Sequence, residues 1–153
     1  MHPNEELISR FYTAFNAKDA ETMAASYADE ASFADPAFGE LTAPETRAMW
    51  RMLLARAVDL RVEFSDIQAD GTHGSAHWDA SYVFGGHPVH NSIDATFSFR
   101  DGLICKHVDV FDWPRWAGQA LGWPGKLLGR TSLLRNRARA TARAQLDAYL
   151  STH

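Results

Sequence analysis

Four segments rich in strand-forming residues follow one another in the second half of the chain, and only short turns separate them. The segments span residues 60–68, 74–84, 89–99 and 103–111, and "ADGTHG", "GGHP" and "RDG" mark the turns. Turns this short leave no room for a crossover, so consecutive strands must pair side by side and antiparallel. The sequence therefore predicts a four-stranded antiparallel meander with at least one face that other elements must cover.

The first half of the chain supplies those covering elements. An amphipathic helix is predicted from Asn4 to Ala17, and Asp19 is a good N-cap for a second, short helix through Met23 to Tyr27. The segment "DEASFADP" reads as a short strand that Pro36 ends at Asp35. The capping-box pattern "TAPE" at residues 42–45 begins a third helix that runs to about Ala57. Helices on one face of an antiparallel sheet make an α+β fold.

Composition narrows the protein class. The 153 residues suffice for one domain core, and the 46% hydrophobic and 12% aromatic content is typical of a globular protein. The single Cys105 has no intramolecular disulfide partner, and "MHPNEEL" lacks the pattern of a signal peptide, so we expect a cytoplasmic protein. No apolar run approaches the roughly 20 residues that span a bilayer, so we expect no integral membrane contact.

Charge divides the chain into two parts. Residues 1–112 hold 8 Lys and Arg against 18 Asp and Glu, whereas residues 113–153 hold 7 against 1. We therefore predict a domain over 1–112 and a basic helical extension over 113–153, whose last helix spans about Ser132 to Leu150. A basic extension could bind nucleic acid or an anionic membrane. Its simplest use is to pack on its own acidic domain or on that of a partner subunit, and it lacks the interleaved aromatic residues of a single-strand binder.

The segment "WPRWAGQALGWPGKLLG" opens this extension. It carries large apolar side chains between its prolines and glycines: Trp113, Trp116, Leu121 and Trp123. We expect it to pack as a lid across the open end of the domain or onto a neighbouring subunit.

Two stretches resemble a known superfamily. "FYTAFNAKDAETMAASYADEASFADP" and "FSFRDGLICKHVDVFD", in this order of elements, are similar to nuclear-transport-factor-2-like proteins, in the branch of ketosteroid isomerase and the SnoaL-like polyketide cyclases. The likeness covers residues 5–112. It implies a strongly curved sheet wrapped as a cone around three helices, with an apolar pocket for a small steroid- or polyketide-like ligand. It also implies chemistry without a cofactor and a homodimer through the convex face.

The resemblance assigns a role to Asp35, because "FADP" matches the place where ketosteroid isomerases hold their general base. A carboxylate partly removed from water has a raised pKa and is a better base near neutral pH. Alternatively, Asp35 only forms the turn before Pro36. The isomerase's oxyanion hole does not carry over: Phe11 stands at the tyrosine position with Tyr12 beside it, and Ala95 stands at that of the acid.

The strand "KHVDVFD" carries the other polar candidates. His107 and Asp109 are two residues apart, so they share one face of the strand, and Val108 and Val110 share the other. The cone implied by the resemblance would place His107 and Asp109 inside and the valines at a subunit contact. SnoaL-type cyclases similarly place an acid/base aspartate on the last strand. Alternatively, His107 is a structural residue held by Asp109 or Asp35.

Alternation predicts an inward row of Trp78, Ala80 and Tyr82, with His77 and Asp79 on the opposite face, and a further inward row of Ile93, Ala95 and Phe97. Aromatic side chains on these expected inner faces predict a wall for a flat, apolar ligand. The candidates are Phe11, Tyr12, Phe15, Trp50, Trp78, Tyr82, Phe97 and Phe111. Alternatively, they form an ordinary core. No metal site is predicted, because "HPVH" at 87–90 offers two histidines without a third ligand in register. The sequence thus favours a cofactor-independent isomerase, cyclase or dehydratase using Asp35, His107 and Asp109, and a non-catalytic binding or dimerisation module is the alternative.

Overall fold

In the computed structural model, which describes residues 1–122, 125–126 and 129–153, helices cover the inner face of a curved six-stranded sheet. The helices are α1 Pro3–Asn16, α2 Ala20–Ala25, α3 Ala43–Arg56, α4 Trp113–Ala120 and α5 Ser132–Thr152. The strands are β1 Tyr27–Asp35, β2 Gly39–Thr42, β3 Arg61–Ala69, β4 His73–Phe84, β5 His87–Arg100 and β6 Leu103–Val110. The predicted α+β class is confirmed.

Side-chain caps begin the first three helices. Thr42 and Glu45 form the predicted capping box of α3, each accepting a hydrogen bond from the other's backbone N–H. Asp19 caps α2 through the amide of Thr22. The second helix is shorter than predicted, because Tyr27 belongs to β1 rather than to the helix. This shift moves Tyr27 into the sheet, where its side chain joins the interior.

The strand order is β2-β1-β6-β5-β4-β3. Strands β3 to β6 form the predicted antiparallel meander, and the β4–β5 turn uses Gly85 and Gly86, both at positive φ. The sheet departs from the antiparallel expectation at one junction, because β1 and β6 pair in parallel. The long connection through α3 and the meander permits this direction. Strand β2 was not predicted, since it has four residues and buries only Leu41.

The inner face of the sheet holds the core. On β4 the buried row is Ala76, Trp78 and Ala80, while His77 and Asp79 lie on the outer face, as the alternation predicted. On β5 the row of Ile93, Ala95 and Phe97 is likewise buried. Helix α1 packs on β3 and β4 and α3 packs on β1, so the concave side of the sheet and the helices enclose one continuous core.

The C-terminal extension contacts the same chain. Helix α5 packs on α3, and Leu146 is fully buried there. Arg143 forms an ion pair with Glu45 at the start of α3, so the basic helix lies against the acidic part of the chain. Helix α4 packs on β5, and the predicted lid residue Trp123 lies outside the described residues. Among the described helices, none combines the length and the apolarity that a membrane span requires.

Candidate functional site

A chain of hydrogen bonds runs through the interior from α3 to the end of β6. Trp50 Nε1 donates to the Tyr27 hydroxyl oxygen over 2.9 Å, and that hydroxyl lies 2.8 Å from Nδ1 of His107. Nε2 of His107 is 2.8 Å from Oδ1 of Asp109. All four side chains are buried, so each bond is shielded from water.

The partners determine where the protons lie. An indole N–H can only donate, so the Tyr27 oxygen accepts from Trp50 and its own proton is available for His107. His107 then accepts at Nδ1 and donates from Nε2 to the carboxylate of Asp109. The donors therefore point in one direction along the chain, and Asp109 is its terminal acceptor.

The alternation of "KHVDVFD" places the polar pair inside. His107 is 0% and Asp109 3% exposed, whereas Val108 is partly exposed and Val110 is 60% exposed on the outer face. The structure confirms the predicted orientation of this strand. The valines do not occupy the core because α1 and α3 cover the face that carries the imidazole and the carboxylate.

Asp35 ends β1, and its carboxylate accepts a 2.6 Å hydrogen bond from the amide of Phe38. Although the residue keeps part of its surface exposed, the protein around its carboxyl raises the pKa of Asp35 to about 7. The main cause is burial, and the negative charge of Asp109 adds to it, while the amide of Phe38 opposes both. Asp35 therefore forms the turn and is also half-protonated near neutral pH.

Tyr12 carries a second polar group into the interior. The side chain is fully buried, and its hydroxyl forms no hydrogen bond with the described residues. Burial raises the pKa of Tyr12 well above its ordinary value, and the charge of Asp109 raises it further. Tyr12 thus presents a neutral O–H group beside Asp109. The indole N–H of Trp78, whose ring is centred 5.8 Å from that of Tyr12, also lacks a partner in the described part of the chain.

The predicted aromatic wall is largely buried. Tyr82 and Phe111 are only half-buried, and the other six members are buried: Phe11, Tyr12, Phe15, Trp50, Trp78 and Phe97. Their rings are in contact; Phe15 lies 5.0 Å from Trp50 and Phe97 lies 4.4 Å from the imidazole of His107. These rings surround the polar chain with apolar surface, which strengthens its electrostatic interactions.

Two open clefts lie on the surface of the molecule. One of about 760 Å³ is bordered by β1, β2 and β6 and is lined by residues including Ser32, Ala34, Lys106 and His107. Another of about 590 Å³ lies beside α4 and is lined by residues including His87 and Arg115. Neither cleft is the aromatic-lined pocket that the sequence predicted. Within the described ranges, no group of three His, Cys, Asp or Glu side chains is arranged to hold a metal ion.

Comparison with known proteins gives the family. The model of the SnoaL-like domain matches residues 8–107. The chain belongs to the SnoaL-like family. This match confirms the resemblance to this branch of the nuclear-transport-factor-2-like superfamily, which two short stretches of sequence indicated. No curated protein sequence matches this SnoaL-like protein significantly.

Solved structures share the fold of this SnoaL-like protein at low sequence identity. A protein with a ketosteroid isomerase-like fold from Catenulispora acidiphila, in complex with trimethylamine, has a TM-score of 0.69 and 15% identity, covering 79% of this chain and 95% of its own. A LEH-like epoxide hydrolase from M. tuberculosis has a TM-score of 0.65 and 21% identity, and the match covers 86% of this chain and 95% of the hydrolase. IdmH from Streptomyces antibioticus, a proposed polyketide cyclase, has a TM-score of 0.62 and 22% identity, and the match covers 72% of this chain and 93% of IdmH.

Two contributors to the site of this SnoaL-like protein were not predicted from the sequence. Tyr27 was placed in a helix, although the aromatic residue at the start of "YADEASFAD" is also a strand signal. Arg139 of α5 donates 3.1 Å to the carbonyl of Pro36 beside Asp35, and it lies beyond the range that the family model matches, so no family motif points to it. Trp116, named in the predicted lid, donates 2.7 Å to the hydroxyl of Tyr82.

Proposed function

We propose that this SnoaL-like protein binds a small apolar carbonyl compound of steroid or polyketide type and moves a proton on it, with Asp35 as the base. The observation that carries the proposal is the pKa of about 7 at a carboxylate that borders the apolar core and lies within reach of the charge of Asp109. A base is most effective when its pKa lies near the working pH, and such a base typically contributes about 10²- to 10⁴-fold in rate.

The reaction needs no cofactor. Asp35 takes a proton from carbon next to the carbonyl group, and the electron pair of that C–H bond moves into an enolate. The hydroxyl of Tyr12, which has no partner among the residues that the structure describes, is the donor suited to the enolate oxygen, because its pKa is raised and it stays protonated. Protonated Asp35 then returns the proton to a different carbon in an isomerisation. In a cyclisation the enolate attacks a second carbonyl carbon, whose C=O electron pair moves onto its oxygen, and in a dehydration the enolate expels a hydroxyl from the β-carbon. Protonated Asp35 gives its proton to that oxygen in both cases.

Asp109 and His107 complete the catalytic group in this proposal. Burial raises the pKa of Asp35 and the charge of Asp109 raises it further, and His107 holds the Asp109 carboxylate by a 2.8 Å hydrogen bond. Tyr27 and Trp50 fix the imidazole from its other nitrogen. The proposed polyketide cyclase among the structural neighbours supports the cyclisation form of this chemistry.

We also propose that the protein is a homodimer and that it is located in the cytoplasm, as the sequence predicted. Val110, 60% exposed on the outer face of β6, is the apolar residue that supports a contact between convex faces. Sedimentation of the wild type and of Val110→Glu measures the dimer directly. A monomeric wild type would contradict it.

A chromogenic nitrobenzisoxazole tests the base, since this flat, neutral compound opens its ring when one C–H proton is removed. We expect a rate that rises with pH to a plateau, with a midpoint near pH 7, the pKa of Asp35. Asp35→Asn should lower the plateau by about 100-fold or more. Asp101→Asn, in the exposed β5–β6 turn, is the matched control and should keep the wild-type rate. An Asp35→Asn protein with wild-type activity would sink the proposal.

The non-catalytic alternative predicts a different pattern. The protein would bind apolar ligands saturably without turning over the probe, and the Asp35→Asn and Asp109→Asn variants would keep that affinity. Calorimetric titration of the three proteins with one flat ligand separates the two cases.

A further inference from the structure

Helix α5 brings one basic side chain to the turn that carries Asp35. Arg139 Nη2 donates 3.1 Å to the carbonyl oxygen of Pro36. The side chain lies against Gly39, whose φ is +71°, and a Cβ at Gly39 would be only 3.5 Å from Arg139 Cδ and 3.6 Å from Nε. Even a Cβ at Gly39 would make only ordinary van der Waals contact with Arg139, so the guanidinium lies close beside the end of β1 without crowding it.

The guanidinium has an unused donor. Nε of Arg139 is buried and has no hydrogen-bond partner among the described residues. A buried N–H without an acceptor costs free energy, so the position favours an incoming acceptor. The positive charge also acts on the base, because it lowers the pKa of Asp35 against the larger effects of burial and Asp109.

The ion pairing of Arg139 differs from that of its neighbour on α5. Arg143 is neutralised by Glu45 and Asp147. Arg139 donates to a backbone carbonyl, and Asp35, whose pKa its charge lowers, is half-protonated near neutral pH. The positive charge of Arg139 is therefore left largely available. Guanidinium groups bind ionised oxygens with two parallel hydrogen bonds, and carboxylates are the best fit.

We infer that the ligand of this site carries an ionised oxygen, a carboxylate or phenolate, which Arg139 binds at the end of β1 next to Asp35. The inference rests on the proposed function only in placing the ligand beside Asp35. It narrows the substrate class from apolar carbonyl compounds to acidic ones. Arg139 lies outside residues 8–107, so the residue is a feature that the extension of this chain adds to the family fold.

Calorimetric binding of two probes of equal shape tests the assignment. Naphthoate carries the ionised oxygen and naphthamide is its neutral counterpart, and pH 6 keeps Asp35 mostly protonated. The wild type should bind naphthoate roughly ten- to a hundredfold more tightly than naphthamide, the range of a charge-assisted pair. Arg139→Gln should abolish that preference by weakening naphthoate alone. Arg135→Gln, exposed on the same helix, should keep it.

Each other outcome overturns the assignment. Equal affinity for both probes in the wild type, or no binding of naphthoate, would refute the inference that the ligand carries an ionised oxygen. An equal loss of both probes in Arg139→Gln shows that the residue only holds α5 in place. The neutral nitrobenzisoxazole reports on the base independently. Turnover that depends on Asp35, without a preference for naphthoate, would leave the proposed function intact and refute the role of Arg139. A preference for naphthoate that depends on Arg139, without turnover that depends on Asp35, would refute the base alone.

Discussion

The hydroxyl of Tyr27 lies 2.8 Å from Nδ1 of His107, and the two residues are 80 positions apart in the chain. The same oxygen accepts from Trp50 Nε1, so one phenol satisfies two other buried polar groups. Tyr27 is thus the junction that links the first strand, the third helix and the last strand of the sheet.

Tyr27→Phe should lower the free energy of unfolding by about 2–6 kcal/mol, since it leaves Nδ1 of His107 and Nε1 of Trp50 without partners, at about 1–3 kcal/mol each. Urea denaturation measures the change. Tyr12→Phe is the matched control, because Tyr12 is equally buried and its hydroxyl has no hydrogen-bond partner in the described part of the chain. That variant should be as stable as the wild type or more so. Equal destabilisation by both substitutions would refute the special role of the Tyr27 oxygen.

Asp109→Asn should shift the titration of Asp35 to lower pH. The charge of Asp109 raises the pKa of Asp35, so its removal lets that pKa fall below about 7. The asparagine oxygen can still accept from Nε2 of His107, so the fold should persist. Carboxyl NMR of Asp35 measures the shift, and Asp101→Asn should leave the midpoint unchanged. An unchanged Asp35 midpoint in Asp109→Asn would show that the two carboxylates are not coupled.

The raised pKa of Asp35 should also make stability depend on pH. Because the pKa is about 7 in the folded chain and 3.8 ordinarily, folding favours the protonated form. The stabilisation of the folded state by protonated Asp35 is fully present below about pH 4 and is lost as the pH rises through 7. The difference in unfolding free energy between Asp35→Asn and the wild type should therefore grow by up to about 4 kcal/mol between pH 4 and pH 8. Urea denaturation at several pH values checks this, and a difference that stays constant would contradict the raised pKa.

Leu146→Ala should destabilise the whole protein by about 2–5 kcal/mol, because this α5 side chain is 0% exposed in the core. Leu133→Ala on the same helix is the control. Leu133 is 72% exposed, so its truncation should change stability by no more than about 0.5 kcal/mol. Denaturant titrations compare the two variants with the wild type. Similar small effects would mean that the extension does not share the core of residues 1–112.

Local patterns predicted most of the fold. The capping residues Thr42 and Glu45 predicted the start of α3, and alternation predicted the inner rows of β4 and β5. Alternation alone would have turned Val108 and Val110 inward, and only the cone implied by the resemblance predicted the observed faces of β6. Asp112 and Pro114 also carry the N-terminal signals of α4, which the sequence interpretation did not use.

The rest could not be read from local sequence. The parallel pairing of β1 with β6 and the contact of Tyr27 with His107 depend on how the whole sheet curves around the helices. The position of Arg139 depends on Leu146, which anchors α5 on α3 and thereby sets where the helix meets the turn after β1. Such relations join residues that are about 70 to 100 positions apart, and periodicity carries no information over that span.

The parallel pairing of β1 with β6 has a consequence for biosynthesis. During translation β1 emerges about seventy residues before its partner, so one hydrogen-bonding edge of β1 waits unpaired while the intervening elements are made. In that interval β2 is the native partner already available to β1. A nascent chain stalled before residue 103 therefore exposes a strand edge that invites association with other chains. Release of β6 from the ribosome closes that edge, and the same event brings His107 to Tyr27.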